Sequence, residues 1–169
     1  MLGSGSKVRV RNAKSGDAKA LARIFKDSWL LAYRGIIPHL HLDNMVRQRT
    51  PEWWRDALKS SDSVLVLEVS GAVAGYATLG SSRQRGLYQG EIYELYLDPV
   101  YQGLGLGEHL FEGCRHTLDM RKLSGLIVWA LIENTQACDF YWRRGGRPIT
   151  SAFTKIGGER LEKVAFAWR

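Results

Sequence analysis

The sequence predicts an α/β domain, one sheet with helices on its faces, in the order βααβββαβαββ. Three observations carry that reading. At 169 residues, 45% hydrophobic and 24% charged, the chain has ordinary globular composition and enough length for one well-packed core. Short apolar runs alternate along it with segments of helical period. In residues 91–115 an apolar, aromatic run closes on Asp98-Pro99, passes through a glycine-rich turn, and opens into a helical repeat. That is a strand, a tight turn and a helix start, and the rest of the chain is arranged around it.

Residues 1–6 (Met-Leu-Gly-Ser-Gly-Ser) have no periodicity and are set outside the fold, leaving 7–169 as a single domain. Val8 and Val10, alternating with Lys7, Arg9 and Arg11, form a first strand with one apolar face. Ser15 is placed to cap the helix that follows, Asp17 favours the positive end of its dipole, and Leu21, Ile24, Phe25, Ser28 and Ala32 make its inner face. After Gly35 a second helical stretch covers 40–47 and continues at 51–58, where Pro51 suits a helix start. Trp53 and Trp54 are adjacent there, so only one of them can face the core.

Residues 64–69 and 73–79 are strands joined at Ser70-Gly71. A basic loop, 81–90, leads to the central strand. Beyond the turn, Leu106, Leu110, Phe111, Cys114 and Leu118 fall on one helix face. Residues 125–132 form a strand apolar enough to be covered on both sides. Asn134 caps a helix over 135–144 that Gly145-Gly146 stops, and 149–153 and 161–168 are two strands joined across Gly157-Gly158.

No apolar run reaches the ~18 residues needed to cross a bilayer, and no basic-then-apolar leader is visible, so a soluble, cytoplasmic protein without a membrane partner is expected. Cys114 and Cys138 lack Cys-x-x-Cys spacing and fall in helices as small apolar residues. His39, His41, His109 and His116 do not cluster with cysteine or carboxylate, so no metal is expected. The net charge of +7 is spread along the chain, with short groups at Arg83/Arg85 and Arg143/Arg144/Arg147. A phosphate-bearing ligand accounts for part of it, and no nucleic-acid motif accompanies it, so a nucleic-acid partner is not expected.

In the turn Gln102-Gly103-Leu104-Gly105-Leu106-Gly107 the glycines sit at a helix N-terminus, where unpaired N–H groups and the helix dipole favour a phosphate. A Walker loop requires Lys and then Ser or Thr after the glycine, but Glu108 and His109 follow Gly107. The dinucleotide fingerprint counted from Gly105 ends on Leu110 rather than on glycine or alanine. What fits is Gln/Arg-x-x-Gly-x-Gly/Ala, as Gln102, Gly105 and Gly107, which resembles the signature of the GNAT N-acetyltransferase superfamily. Asn134-x-x-Ala137-x-x-Phe140-Tyr141 followed by Gly145-Gly146 is similar to the second GNAT signature, and the phrase from Ser28-Trp29 to Pro38 is similar to GNAT opening helices.

The resemblance spans Val8 to Trp168. It implies a mixed, mostly antiparallel sheet flanked by helices, and acetyl-CoA as the donor with CoA as product. It implies cofactor contacts from Leu95, Tyr96 and Leu97 on the strand, from Gln102, Gly103, Leu104, Gly105, Leu106 and Gly107 in the turn, and from Asn134, Ala137, Phe140 and Tyr141. Tyr141 is the implied acid for the departing thiolate. Glu91 stands where many GNAT enzymes carry a glutamate base, and Glu94 is its alternative, on the opposite face by strand alternation. The turn holds no Arg or Lys, so the cofactor's further phosphate needs a cation from elsewhere, Arg143 or Arg144.

Direct transfer, without an acyl-enzyme, to a primary amine of a small acceptor is the expected reaction. The acceptor site is expected between the first two helices, the 81–90 loop and the last hairpin. Trp29, Tyr33, Trp53, Trp54 and Tyr88 would make it aromatic. The exposed aromatics permit a homodimer. Two other readings stay open at this point: a non-catalytic acetyl-CoA sensor, and an acetyltransferase for a protein or RNA-linked amine.

Overall fold

Seven strands and five α-helices follow one another along the described residues: β1 (Val8–Asn12), α1 (Ala18–Tyr33), α2 (His39–Gln48), α3 (Pro51–Lys59), β2 (Val64–Val69), β3 (Ala72–Ser81), β4 (Gly90–Leu97), α4 (Leu106–Met120), β5 (Leu126–Leu131), α5 (Thr135–Arg143), β6 (Arg147–Ile156) and β7 (Glu159–Trp168). This computed structural model describes residues 7–59 and 63–169; residues 1–6, set outside the fold above, lie outside the described residues. The strands form one sheet in the order β1-β2-β3-β4-β5-β7-β6. Only β4 and β5 are parallel, joined by the crossover through α4, and every other neighbour is antiparallel.

Both faces of the sheet are covered. Alternation along β2 sends Val64 and Val66 towards α1, where they meet Leu21, Ile24, Phe25 and Tyr76. It sends Leu65 and Leu67 towards α4, where they meet Leu106, Leu110, Phe111, Cys114 and Leu118. An unbroken apolar run is what a strand buried on both sides requires. On α3 the two tryptophans are divided as the helical turn demands: Trp54 is 1% exposed against Tyr76, and Trp53 is 40% exposed.

Two local expectations are corrected. Three helices, not two, precede β2, because the stretch 40–58 breaks at Arg49-Thr50. Proline disfavours helical backbone in the residue before it, and Thr50 Oγ1 accepts the Trp53 N–H at 3.1 Å, so a fresh helix starts at Pro51. The entry to α1 is not capped by Ser15. Residues Ser15–Asp17 form a 3-10 turn, and the carboxylate of Asp17 accepts the Lys14 N–H at 2.9 Å while holding Arg11 by two bonds of 2.8 and 3.0 Å.

Arg11 also bonds Glu68 of β2 at 2.6 Å, so this cluster pins β1, the 3-10 turn and β2 together. Burial alone would raise the Asp17 pKa, but its bonds to Arg11 and to the Lys14 backbone outweigh that and hold it below the usual carboxylate value. A carboxylate depressed in the folded state stabilises above its unfolded pKa, and that stabilisation fades as pH falls through the folded value. Asp17→Asn is therefore expected to lower the unfolding free energy by about 2 kcal/mol at pH 7, the size of a charge-assisted hydrogen bond. Urea titrations should show the difference shrinking once pH drops below about 4.

Candidate active site

The site begins where two neighbouring strands part. β4 and β5 are paired only at Gly90↔Leu126, Glu91↔Ile127 and Ile92↔Val128. From there β5 stays with β7, through Trp129↔Ala165 to Leu131↔Lys163, while β4 stays with β3. The cause is a bulge: Thr78 pairs with Glu94 and Leu79 with Ile92, which leaves Tyr93 without a partner on β3. An extra residue bends its strand and adds twist, so β4 turns away from β5. A wedge opens at the C-terminal ends of the one parallel pair.

The glycine turn sits at the end of β4. Asp98 accepts the Val100 N–H at 3.1 Å and pairs with Arg23 at 3.3 Å, and Gln102 reaches back to donate from Nε2 to the Leu97 carbonyl at 3.3 Å. Gly105, the residue before α4, has φ 76°, a left-handed conformation that costs a side-chain-bearing residue about 1 kcal/mol or more. Space is not the constraint there, since a Cβ at Gly105 would meet nothing within 4 Å. At Gly107 it is: a Cβ would stand 3.0 Å from the ring of Phe140 on α5. The turn thus presents the free N–H groups of the first turn of α4 to the wedge, while α5 packs closely behind it.

Around the wedge the structure gathers most of the residues singled out in the sequence. Asn134 caps α5, its Oδ1 accepting the Ala137 N–H at 3.2 Å. Tyr141 is 6% exposed, ringed by Phe111, Phe140, Phe166 and Trp168, and burial pushes its phenol far above the usual value. Tyr96 lies on β4 past the divergence, its hydroxyl 3.2 Å from that of Tyr33, and Tyr33 in turn faces the Asn134 side chain. Of the two candidate cations, Arg143 is engaged by Asp139 at 3.0 Å on the surface, whereas Arg144 lies over Phe140 and 3.9 Å from Glu108 in the first turn of α4. Arg144 is the one beside the glycine turn.

The two glutamates are not on opposite faces. The bulge at Tyr93 adds a residue between them and restores the same side, so strict alternation fails here. Glu91 is 1% exposed at the closed end of β4, where Arg83 binds it through its backbone N–H at 3.0 Å, Nε at 3.2 Å and Nη2 at 2.6 Å. Glu94 is further along, accepting from Arg49 at 3.1 Å, Tyr76 at 3.3 Å and Thr78 at 3.3 Å, beside Tyr33 and Tyr96. The guanidinium of Arg49 is itself sandwiched between Phe25 and Trp53, at 4.4 and 4.2 Å from their ring centres.

The expected aromatic acceptor site is redistributed. Tyr88 packs against Gly125 at the closed end of β4, Trp53 covers Arg49, and Trp29 is stacked between Phe25 and Tyr33. Tyr33 packs against the apolar group Ile37, Leu42 and Leu161. Its neighbour Arg34 and the neighbour of Asn134, Glu133, line a space of about 440 Å³ with Ile37, Leu42, Glu159 and Leu161. Nothing in the local sequence marks these residues, because they come together from four separate segments.

Comparisons with known proteins place the chain that carries this site. The sequence profile of the acetyltransferase (GNAT) family covers residues 20–145. The chain belongs to that family. It is 32% identical over 164 residues to the uncharacterised N-acetyltransferase YuaI of Bacillus subtilis, covering 95% of this chain and 92% of that protein. It is 21% identical to the spermidine N(1)-acetyltransferase of Thermoplasma acidophilum over 140 residues, 82% and 87% of the two chains. Among solved structures, the PaiA N-acetyltransferase of Thermoplasma acidophilum with coenzyme A superposes with a TM-score of 0.73 at 17% identity, over 93% and 98% of the chains.

In this GNAT chain the turn residues have separate tasks. Gly105 provides the backbone conformation, Gly107 admits α5, and Gln102 ties the turn to the end of β4, with Gln136 of α5 also in reach at 3.5 Å. Gly105→Glu should therefore strain the turn and place a carboxylate among the N–H groups. Calorimetry with coenzyme A is expected to show at least a tenfold loss of affinity, with the thermal midpoint lowered by no more than the strain of one left-handed residue.

Proposed function

We propose that this protein is an acetyl-CoA-dependent N-acetyltransferase that moves the acetyl group directly to a primary amine of a small acceptor. The observation that carries this reading is the wedge between β4 and β5 with the glycine turn at its mouth. The turn supplies N–H groups for a pyrophosphate, and Arg144 beside Glu108 is the cation for a further phosphate. Asn134, whose side chain also meets the Tyr33 hydroxyl, and the divergent backbone of Leu95, Tyr96 and Leu97 suit the amide-bearing arm of the donor. Acetylation of spermidine by one relative supports a small amine as acceptor.

Amines are mostly protonated at neutral pH, so attack on a thioester requires a route for one proton. Glu94 is the better-placed carboxylate, since it stands beside the Tyr33–Tyr96 pair near the wedge, whereas Glu91 is enclosed by Arg83 at the far end of the strand. It acts on the amine through an intervening water or hydroxyl. Backbone N–H groups at the end of β4 polarise the thioester carbonyl. Tyr141, a neutral phenol at pH 7, hydrogen-bonds the departing thiolate and passes it a proton that solvent then restores. Cys138, whose thiol donates to the Leu131 carbonyl at 3.6 Å and whose pKa is raised by burial, is a poor nucleophile, which favours direct transfer.

Three measurements test the reading. Acetyl-CoA and CoA, but not NAD, are expected to raise the thermal midpoint of the protein; a folded sample indifferent to both CoA compounds overturns it. Tyr141→Phe should lower kcat about tenfold with the acetyl-CoA KM little changed, the loss being moderate because a thiolate of pKa ~8.5 leaves without much help. Glu94→Gln should cost about a hundredfold in kcat/KM for the amine, within the usual range for a general base, while Glu91→Gln keeps most of the turnover. The opposite ranking of those two variants would return the role to Glu91.

A further inference from the structure

Tyr33 is the last residue of α1 and reaches the wedge from the layer opposite α5. Its phenol bridges the gap left by the parted strands, with the Tyr96 hydroxyl on the β4 side at 3.2 Å and the Asn134 side chain on the β5–α5 side. The ring is held as firmly as the hydroxyl. It packs edge-on against Trp29 at 4.8 Å, Trp29 packs on Phe25 at 4.8 Å, and the Ile36 and Ile37 N–H groups both donate to the Tyr33 carbonyl at 2.9 Å. A side chain fixed through its ring, its hydroxyl and its backbone forms a wall rather than a mobile gate.

What the Tyr33 ring packs against, Ile37, Leu42 and Leu161, differs in character from the wedge. The cavity of about 440 Å³ begins with the residues next along the chain, Arg34 and Glu133. Its floor is apolar, made by Ile37, Leu42 and Leu161, exposed by 3%, 1% and 9%. The Tyr33 ring packs against these three residues, so a chain of methylenes taking the place of that ring would meet the same floor.

We propose that Tyr33 is a specificity-determining residue for the acyl group: its phenol, braced against Tyr96 across the wedge, is the stop at which a two-carbon acyl chain ends. The proposal rests on the reading of the wedge as the acyl-CoA site. It gives Tyr33 a role on the donor, beyond its neighbourhood to the acceptor. It also separates the two functions of the phenol, because the ring supplies the stop and the hydroxyl only braces it.

Calorimetric titration of the full chain with CoA, acetyl-CoA, butyryl-CoA and hexanoyl-CoA tests this without an acceptor being known. The unmodified protein is expected to bind butyryl-CoA and hexanoyl-CoA at least tenfold more weakly than acetyl-CoA. Tyr33→Ala should invert the order, with hexanoyl-CoA at least tenfold tighter than acetyl-CoA, since each methylene placed on an apolar floor is worth up to about fourfold in affinity. Tyr33→Phe keeps the ring and should keep the original order; Tyr33→Val provides the small side chain again should Tyr33→Ala fail to fold. A small-residue variant that retains the original length profile, or loses all acyl-CoAs by a common factor, overturns the proposal, as does a flat profile in the unmodified protein. Absence of binding to CoA itself by the folded, unmodified protein would instead bring down the reading of the wedge, and this inference with it.

Discussion

The separation of β4 from β5 is the constraint on which the rest of this molecule depends. Two adjacent parallel strands ordinarily satisfy each other's backbone groups along their full length, and here they do so for only three residue pairs. The cost is borne by the outer neighbours: β3 continues to hold β4 as far as Leu97, and β7 continues to hold β5 as far as Leu131. An open seam can persist inside a sheet because each edge is anchored on its other side. The single unpaired residue Tyr93 sets the divergence, and the glycine turn, the cap of α5 and the end of α1 are then brought to its rim.

Much of this was legible in the sequence, and what was not has a common physical cause. The periodic helices, α1 with Leu21, Ile24 and Phe25 and α4 with Leu110, Phe111 and Cys114, were readable because each residue's burial is set by its place on a local repeat. The turn was readable because Gly105 answers to a local demand, a left-handed backbone at a helix start, whereas the close approach of Phe140 to Gly107 belongs to the tertiary fold. The bulge was not, because a one-residue slip between β3 and β4 is settled by the twist of the whole sheet. With it went the assignment of Glu91 and Glu94 to opposite faces.

The environment of the ionisable groups was equally hidden. Glu91 draws attention as a carboxylate in an apolar strand, yet the residue that neutralises it, Arg83, comes from a loop that looks merely basic and solvated. Arg49 stands at a helix break with no motif around it, and only the fold shows it between two aromatic rings with Glu94 beneath. A buried charge advertises a need for a partner, while the partner's identity depends on segments far away in sequence. The lining of the cavity beside Arg34 and Glu133 is a similar case.

The position of β7 has a bearing on how such a molecule comes to be folded at all. β7 is made after β6 but sits inside it, between β6 and β5. Until the last hairpin has turned back on itself, β5 presents a bare apolar edge on one side and, past Val128, parts from β4 on the other. The half-made sheet is therefore exposed along the very strand that later borders the site, a surface prone to pairing with other chains. Docking of the hairpin closes it, with the Trp168 indole donating to the Arg144 carbonyl at 3.0 Å at the end of α5. The pairing of β7 with β5 that completes the sheet thus also covers the edge most open to association with other chains.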